Sequence, residues 1–462
     1  MNKLKLVAIR KGFEFATKKS NKSLVSVACV EKSCKWRVRV IKYISSNAFR
    51  ITKYEPNHSC DLRSISGRHM HASTNVIAEF IKERFREGKC PIPKEIMNIV
   101  SIELGCDVSY WTCWKAKQLA QNMIWGTPEH GYAALEAYQY EIEKANEDSF
   151  TALDVQDGRF LYFFVAYGPC IRGFKNIRNV LAMDGTFLTG QFGGVMLIAS
   201  GQDSENQIYP IAWAVVNSEN DLSWTWFFRQ LLNVVPNTNE LSIISDRNAS
   251  IKKAIARVYD QAHHGVCIRH LGENIRTKFH AGSSILGLYY DASNAYRVEE
   301  FNEYLEEIRR KGYDNVIEYL KNDVGFERWS RVHFPGRRYD VMTSNIVESV
   351  NARLVIEREF PIVALFNAIQ RMLCRWFHER RGLTLCTRYG QDARVNINGK
   401  ICSCKVWDLQ QLPCAHALAT LKAQRLPDYG ERVYNLCSPY YSAEFHWLAY
   451  SEIINPVPPE EQ

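Results

Sequence analysis

The sequence predicts an α/β protein with a small β-rich module at its N-terminus and a larger domain of strands and helices. Residues 1–60 alternate apolar and polar side chains, which is the pattern of strands. From about residue 158, short apolar runs come first and then alternate with helical stretches, which indicates a mixed sheet. By length, 462 residues suggest roughly two to four domains, and an apolar content of 46% excludes global disorder.

Neither secretion nor a membrane span is expected. The apolar runs at 195–200 and 208–216 have the length of strands and fall short of the ~18 residues that a membrane helix needs. The first residues, MNKLKLVAIRKG, lack the apolar segment of a signal peptide. We therefore expect the 14 cysteines to be reduced thiols or metal ligands rather than a disulfide framework.

The positive charge is concentrated at one end of the chain. The net charge is +8, but residues 1–60 contain 14 Lys and Arg against 3 Asp and Glu, which gives +11 there and −3 elsewhere. A basic module of this kind favours a polyanionic partner, with nucleic acid first and an acidic membrane surface second. A charged face that only keeps the protein soluble is the alternative.

Strands and then helices are predicted over the first 126 residues. SLVSVACV, CKWRVRVIKY and AFRITKY indicate a sheet of three or four strands within residues 1–62, followed by a polar linker at 61–71. Residues 73–126 carry three helices, of which PKEIMNIVSIELG is the second, and Ser109 can cap the third. Three helices of this size fit a helix-turn-helix-like unit or a plain helical spacer.

Residues 158–382 are predicted to form the mixed-sheet domain. Its strands are the apolar runs FLYFFVAYG, NVLAMDGTF, VMLIASGQD, IYPIAWAVV and LSIISD. Residues 271–335 are helical by pattern, and residues 426–462 form a C-terminal tail. One helix, SWTWFFRQLLNVV, carries aromatic residues that we expect in the core rather than stacked on bases, namely Trp224, Trp226, Phe227 and Phe228.

Two carboxylates end apolar strands, and a third acid lies in a later helix. Asp184 ends the strand in VLAMDGTF and Asp246 ends LSIISD, and either one alone is as readily a turn or capping residue. Ligands collect at the carboxyl ends of strands in α/β sheets, which favours a functional interpretation of the pair. With Glu348 of TSNIVESVN, the three acids could hold two Mg²⁺ or Mn²⁺ ions for phosphodiester chemistry. Spacing alone leaves their convergence open.

Residues 181–231, together with the segments IISDRNASIKKAI, HHGVCIRHLGENI and TSNIVESVNA, resemble the core of Mutator-like element (MULE) transposases. The resemblance implies a ribonuclease H-like fold with a helical insertion at about 271–335. It also implies a DDE triad that holds the catalytic metal ions. In that triad Asp184 belongs to the DGTF motif, Asp246 to the SDR motif and Glu348 to the T-S-N-x-x-E-S-x-N motif.

The family also has a C-x-x-H element between its second and third acids, which Cys267 and His270 match. Two residues supply at most half of a tetrahedral zinc site. One interpretation is a buried thiol with a hydrogen-bonded structural histidine. The other is an accessory catalytic role, with His270 near the scissile phosphate or on the substrate strand.

The first of two Cys/His clusters lies in the basic module. Cys29-x4-Cys34 and His58-x-Cys60 are close pairs at the boundaries of the small sheet, so the fold can bring them together around Zn²⁺. The alternative is a chance arrangement in a Cys-rich chain. The cluster resembles the WRKY/GCM-like zinc domain of MULE proteins, which implies contact with DNA. The residues expected to contact phosphates are Lys35, Arg37, Arg39, Lys42, Arg50 and Lys53.

The second cluster is Cys402-x-Cys404-x9-Cys414-x-His416. Each tight pair can hold one side of a zinc ion, and the pattern resembles the SWIM zinc finger, here at residues 390–425. We expect a structural role, or contact with DNA or protein, and no catalysis.

Two functions follow from these features. The first is a nuclear DNA transposase, a homodimer or higher oligomer, that binds terminal inverted repeats. It would cut the strand at the element end and join the new 3′-hydroxyl to target DNA. The second is a domesticated derivative, a DNA-binding transcriptional regulator without cleavage, because plant far-red-response regulators share this architecture. A nuclease unrelated to transposition would need the same acids but no basic end-binding module.

Overall fold

The structure is a computed structural model, and it describes residues 1–43, 48–60, 67–86, 90–380, 395–402, 404–423, 429–452 and 454. The chain divides into two compact units, Met1–His130 and Gly131–Gln462. Among the helices of the described residues, none combines the length and the apolar character that crossing a bilayer requires.

The first unit begins with a helix and an antiparallel sheet. Four strands of its described residues pair in the order β1-β2-β3-β4. Trp36 and Val38 are buried against the apolar face, as expected for the core of a small sheet. The sequence pattern predicted the last three of these strands but did not predict the helix that precedes the sheet. The bounds are α1 (Asn2–Arg10), β1 (Phe15–Ser20), β2 (Leu24–Cys29), β3 (Arg37–Lys42) and β4 (Phe49–Glu55).

The three helices predicted in residues 73–126 are present as α2 (Thr74–Arg86), α3 (Pro93–Leu104) and α4 (Tyr110–Trp125). The left-handed backbone of Gly105, with φ of 66°, ends α3. The Ser109 hydroxyl accepts a hydrogen bond from the Thr112 N–H at 3.2 Å and so caps α4, as predicted. Use of these helices as a helix-turn-helix-like unit stays a prediction.

The end of the segment predicted as a linker is packed rather than free. Within 67–71, His69 and His71 are buried, and His71 Nε2 accepts the Phe15 N–H at 3.1 Å. Burial lowers the pKa of His71 to about 4, so the ring is neutral and keeps this acceptor at neutral pH. For these residues the linker prediction was wrong, because paired imidazoles satisfy buried backbone groups of the sheet.

A mixed sheet forms the centre of the second unit. Seven strands of the described residues pair in the order β11-β10-β7-β8-β9-β6-β5. β10 and β11 run parallel to β7, and the other neighbours are antiparallel. The strands are β5 (Phe150–Gln156), β6 (Arg159–Ala166), β7 (Val180–Phe187), β8 (Val195–Gln202), β9 (Ile208–Val216), β10 (Ser242–Ser245) and β11 (His263–Val266).

Helices cover the sheet and form a separate cluster after β11. Helix α8 packs its aromatic residues into the core as predicted, with Trp224, Phe227 and Phe228 fully buried and Trp226 partly so. The helices of residues 268–329 share a core of their own, centred on Trp329. The helices are α5 (Pro128–Ala133), α6 (Leu135–Ala145), α7 (Gly168–Phe174), α8 (Asp221–Leu231), α9 (Ala249–Val258), α10 (Ile268–Phe279), α11 (Ser283–Asn294), α12 (Val298–Arg310), α13 (Asp314–Glu318), a π-helical turn (Tyr319–Val324), α14 (Phe326–Trp329), α15 (Asn345–Arg353), a 3₁₀ turn (Glu357–Glu359) and α16 (Ile362–Arg380).

The residues after the Cys/His cluster return to the core of the second unit. Asp203 is 0% exposed and accepts the Tyr450 hydroxyl at 2.6 Å, and His446 Nε2 lies 3.1 Å from the Arg380 carbonyl. The predicted tail is therefore packed where the structure describes it. Its elements and those of the finger are β12 (Val395–Asn396), β13 (Ile401–Cys402), α17 (Val406–Gln410), α18 (Ala415–Ala423), α19 (Tyr429–Leu436), a 3₁₀ turn (Pro439–Tyr441) and α20 (Ala443–Ala449).

Replacing Tyr450 by phenylalanine is expected to destabilise the second unit. The change removes the hydroxyl that donates to the fully buried Asp203 carboxylate, at a cost of about 2 kcal/mol. Urea unfolding followed by tryptophan fluorescence measures this loss. The matched control is Tyr434→Phe, because the Tyr434 side chain is 72% exposed, and an equal loss in both variants would contradict the prediction.

Candidate metal centres and nucleic-acid interface

Asp184 and Asp246 lie at corresponding positions on neighbouring parallel strands. Ala182 of β7 pairs with Ile244 of β10, and each aspartate comes two residues later. Adjacent strands are about 4.8 Å apart, so this register brings the two carboxyl groups to the same edge of the sheet. Asp246 follows β10 directly, as predicted, but the prediction that Asp184 ends its strand was wrong, because residues 184–187 continue to pair with β8. The register nevertheless gives one local concentration of negative charge.

The Asp184 carboxyl is electrostatically coupled to the other predicted site residues. Burial, together with the charges of Asp246 and Glu348, raises its pKa to about 7. The Gly185 N–H, which donates to Asp184 Oδ1 at 3.0 Å, and the nearby His270 oppose this rise. The two other acids are thus close enough to disfavour ionisation of the first.

Asp246 is held by the helix that follows it. Its Oδ1 accepts the Asn248 N–H at 2.9 Å, and the Asn248 side chain caps α9 by accepting the Ser250 N–H at 2.8 Å. The carboxylate is only partly buried. This turn fixes one oxygen of Asp246, while the hydrogen bonds of the described residues do not use the other one.

Glu348 reaches the same region from the first turn of α15. Its carboxylate forms an ion pair with Arg269, and its Oε1 lies 3.5 Å from His270 Nε2. Oε1 is buried and accepts no hydrogen bond from the described residues, and the same holds for Asn351 Oδ1 one turn later. Acceptor oxygens without hydrogen-bond donors suit a cation. Among the described residues, however, the ligand atoms of Asp184, Asp246 and Glu348 do not all lie within 4.8 Å of one another, as those of the two Cys/His clusters do.

Cys267 and His270 connect the second acid to the third. The Cys267 N–H donates to the Ser245 carbonyl at 2.8 Å, and the Cys267 thiol accepts the Ser344 N–H at 3.3 Å, just before α15. Burial raises the pKa of Cys267, but hydrogen bonds from His270 and Ser344 outweigh it and lower that pKa to about 7. The Cys267 contact is also the main cause that raises the pKa of His270.

The geometry contains one observation in favour of each interpretation of the C-x-x-H element. Cys267 is a fully buried thiol in a hydrogen-bonded network, while the side chain of His270 is 33% exposed and faces Glu348. An accessory role for His270 therefore stays a prediction.

Glu219 was missed by the sequence analysis. A Cβ atom on Gly185 would lie 3.4 Å from Glu219 Cδ, and Glu219 Oε1 accepts both Trp224 Nε1 at 3.0 Å and Asn248 Nδ2 at 2.7 Å. It therefore lies beside Gly185 of β7, the residue after Asp184, and accepts a hydrogen bond from Asn248 in the turn after Asp246. The signal was present, since Glu219 also closely follows a buried strand, here β9.

Replacing Asp184 by asparagine is expected to stabilise the second unit at alkaline pH when divalent metals are absent. The pKa of about 7 in the folded protein lies above the ordinary value of 3.8, so the folded state binds the proton more tightly than the unfolded chain. That contribution is complete below about pH 4 and is lost as the pH rises through 7. Asparagine has no charge to desolvate, so the variant lacks this loss.

Urea unfolding in EDTA at about pH 5 and pH 8 measures the effect. We subtract the free energy of unfolding of the wild type from that of Asp184→Asn at each pH. After allowance for solvent screening, this difference should be about 1–2 kcal/mol more favourable to the variant at pH 8 than at pH 5. Asp291→Asn, at an exposed position of α11, serves as the control. A difference between wild type and Asp184→Asn that does not depend on pH would contradict the prediction.

The first Cys/His cluster is brought together at the end of the small sheet. One ligand atom from each of Cys29, Cys34, His58 and Cys60 lies within 4.8 Å of the others. Cys29 Sγ and Cys60 Sγ are 3.8 Å apart, and His58 Nδ1 is 3.4 Å from Cys34 Sγ. A Zn–S bond of about 2.3 Å gives sulfur–sulfur distances of about 3.8 Å in a tetrahedron, so the donors fit zinc.

The second cluster has the same arrangement. Ligand atoms of Cys402, Cys404, Cys414 and His416 all lie within 4.8 Å of one another. Cys402 Sγ is 3.8 Å from His416 Nδ1, and the other ring nitrogen of His416 is buried without a hydrogen bond from the described residues. The two clusters indicate zinc binding, and the part of each residue as a ligand stays a prediction.

The basic residues predicted to contact DNA share one face of the small sheet, with two exceptions. Arg39 pairs with Lys53 on β4, while on its other side Ser26 of β2 pairs with Lys19 of β1. Cross-strand partners lie on the same face, so these residues form a row across four strands that ends in lysine on both sides.

Other predicted DNA contacts extend or leave this face. Arg37 is exposed on the Arg39 side of β3, and Arg50 pairs with Ile41, which places it on that face too. Side chains alternate between the two faces of a strand, so Lys42 of β3 lies on the face opposite to Arg37 and Arg39. Lys35 lies in the loop before β3. Lys19 was missed because its strand was not identified.

Comparison with known proteins agrees with this arrangement. A family model of the MULE transposase domain matches residues 180–274, one of the SWIM zinc finger matches residues 392–424, and one of the MuDR family transposase DNA-binding domain matches residues 2–51. The Arabidopsis thaliana protein FAR1-RELATED SEQUENCE 10 is 23% identical over 130 residues, which are 28% of this chain and 18% of that relative. This chain thus matches less than a fifth of the length of that relative.

The matches to the sheet module and to the finger indicate a DNA partner and zinc binding, respectively. Together, the three models occur in the order of DNA-binding domain, transposase domain and finger along the sequence. The three matches support a Mutator-like element (MULE/MuDR) transposase with a C-terminal SWIM zinc finger.

Proposed function

We propose that this protein is a Mutator-like DNA transposase that binds terminal inverted repeats and uses divalent metal ions to cleave and join DNA strands. The observation that carries the proposal is the coupling of Asp184 with Asp246 and Glu348, three acids that come from separate elements and lie in matching family motifs. The mixed sheet, with two acids at one edge, also agrees with a ribonuclease H-like core.

The chain's own groups prepare the site for cations. Asp184 shares its surroundings with two other carboxylates, so it must release its proton before all three can act as ligands. Arg269 neutralises one side of Glu348, and the buried Oε1 accepts no hydrogen bond from the described residues, with His270 Nε2 3.5 Å away. When bound, Mg²⁺ or Mn²⁺ would activate a water or a DNA 3′-hydroxyl and stabilise the leaving oxygen.

The zinc-binding modules would bind DNA. The row of Lys19, Arg39 and Lys53 gives a flat positive face whose phosphate contacts fix position and register but carry no sequence information. We further propose that the protein acts in the nucleus and pairs two element ends as a homodimer or higher oligomer.

The second candidate is a DNA-binding transcriptional regulator that no longer cuts. It is favoured by the similarity to FAR1-RELATED SEQUENCE 10, and the ion pair of Arg269 with Glu348 would suit a site that no longer binds metal. The gene itself offers a first distinction. Many copies flanked by inverted repeats and target-site duplications favour the transposase, and a single copy without them favours the regulator.

The biochemical test uses the full chain and a labelled duplex that carries the inverted repeat flanking its coding region. With Mg²⁺ or Mn²⁺ we expect nicks at the repeat end and joining of the new 3′-hydroxyl to a second duplex. Both products should disappear when Mg²⁺ and Mn²⁺ are omitted from the buffer and no chelator is added, so that zinc stays bound. Tight binding at low salt without cleavage in either metal would contradict the transposase and favour the regulator.

A further inference from the structure

A cleft lined by arginines lies between α15 and α16, apart from the three acids. Its volume is about 260 Å³, and it is lined by Arg353, Glu357, Arg371, Arg375 and Trp376 with a few small or apolar side chains. We call these five residues the arginine cleft. Its three guanidinium groups are exposed, whereas the Trp376 side chain is buried at its floor.

The positive charge of the arginine cleft is uncompensated. Three arginines face one acid, Glu357, and within the described residues none of the three has a carboxylate at ion-pair distance. Arg371 and Arg375 are four residues apart on α16, and like charges at this spacing cost a helix a few tenths of a kcal/mol. A net charge of +2 held against that cost indicates an anionic partner.

The arginine cleft adjoins the elements that carry two of the acids. Arg353 follows Glu348 by five residues on α15, about 7.5 Å along the helix. From the segment that follows, Arg358 Nη1 donates to Thr186 Oγ1 at 2.6 Å, two residues beyond Asp184. The segment that borders the cleft is thus joined at both ends to parts of the acid site.

The chemistry of the lining favours a phosphodiester backbone. A guanidinium group presents a planar fork that matches a phosphate in two hydrogen bonds, whereas a lysine offers only a point charge. Arg353 lies over the Trp376 ring, 5.3 Å from its centroid, and this cation–π contact restricts the position of the guanidinium in the cleft. An acidic protein surface could use the same charges, but the apolar side chains Leu354 and Trp376 of the lining are buried, which leaves the guanidinium groups as the exposed part of the cleft.

We propose that the arginine cleft binds the phosphate backbone of a DNA strand beside the three acids and so positions that strand for cleavage. This inference rests on the proposed function for the identity of the strand. Arg353, Arg371 and Arg375 are positioning residues in it, because they contact phosphates away from the reacting bond.

The first test measures the salt dependence of binding with the full chain and a fluorescent duplex of about 30 base pairs, without divalent metal. Each lost phosphate contact lowers the slope of log K against log salt by about 0.9, so Arg371→Ala with Arg375→Ala should lower it by almost 2. Affinity at low salt should fall about ten-fold. The matched control removes two exposed arginines elsewhere in the unit, Arg257→Ala with Arg310→Ala.

A charge-preserving variant separates phosphate binding from a change in folding. Arg371→Lys with Arg375→Lys should keep the wild-type slope but bind more weakly, because lysine lacks the fork. Equal slopes and affinities for the wild type, the alanine pair and the control pair would overturn the proposal.

The second measurement needs no substitution. Phenylglyoxal modifies accessible arginines, and mass spectrometry reads each site with and without the duplex. We expect protection of Arg353, Arg371 and Arg375 and none of Arg257 and Arg310. Protection by polyglutamate but not by DNA would overturn the proposal in favour of an acidic protein partner.

The proposed function and this inference fail separately. If the wild type cuts no duplex but the slope difference and the protection persist, the cleft still binds DNA and only the strand chemistry is lost. If the wild type cuts DNA and the cleft variants behave as their controls do, the cleft proposal alone is wrong.

Discussion

Replacing Cys34 by alanine is expected to unfold the N-terminal sheet module and to weaken DNA binding at least ten-fold. The module has a small core around Trp36, and structural zinc in such modules contributes about 10–16 kcal/mol. The surroundings of the Cys34 thiol also favour the thiolate form that binds zinc. Burial would raise the pKa of Cys34, but backbone N–H groups of Trp36 and Ser59 outweigh it and lower that pKa to about 6.

Three measurements check this expectation. Elemental analysis should show one zinc fewer per chain, proteolysis should cut within residues 1–60, and binding of the duplex should weaken. The matched control is Cys404→Ala in the second cluster, which should also lose one zinc but leave residues 1–60 resistant to protease. Full zinc content in Cys34→Ala, or intact DNA binding by a zinc-free variant, would contradict the role of the first cluster.

Replacing Asp184 by asparagine is expected to abolish strand cleavage while DNA binding stays intact. An amide in place of the central carboxylate cannot supply the charge that a pair of divalent ions needs, and these ions contribute several kcal/mol to the transition state. A loss of about 4 kcal/mol corresponds to a rate about 10³-fold lower. DNA affinity should persist because the basic face of the small sheet is unchanged.

Single-turnover cleavage of the repeat duplex measures the rate, and anisotropy measures binding. Asp221→Asn is the matched control, since Asp221 is an exposed acid whose partner is Lys253. Glu348→Gln should behave as Asp184→Asn does. Cleavage by either variant within ten-fold of the wild-type rate would contradict the assignment of these acids to the metal site.

Local pattern predicted most of the strands and helices, because burial on one face leaves a period in the sequence. The prediction of β10 and of the acid that follows it needed only LSIISD and the rule for strand ends. β5 was missed although Asp157 and Gly158 form its turn, both with positive φ, and Asp-Gly is a strong hairpin signal. The sequence therefore contained the signal for the hairpin of β5 and β6.

Other features depend on contacts between distant residues and have no local signal. His71 looked like part of a linker because its acceptor role depends on Phe15, which lies 56 residues earlier. Arg371 and Arg353 meet in a cleft only after two helices pack. Spacing showed that Cys29 and Cys60 could share a metal, since close pairs of ligands restrict geometry, but it left the convergence of the three acids open.

After the SWIM finger the chain returns to the core of the second unit, and this determines how the finger is attached to the rest of the unit. Because Tyr450, directly after α20, donates to the buried carboxylate of Asp203, the chain is attached to the core of the second unit on both sides of the finger. Trp407 of the finger also donates to the Leu436 carbonyl at 3.3 Å. A force applied to the finger would therefore be transmitted directly into the sheet that carries Asp184.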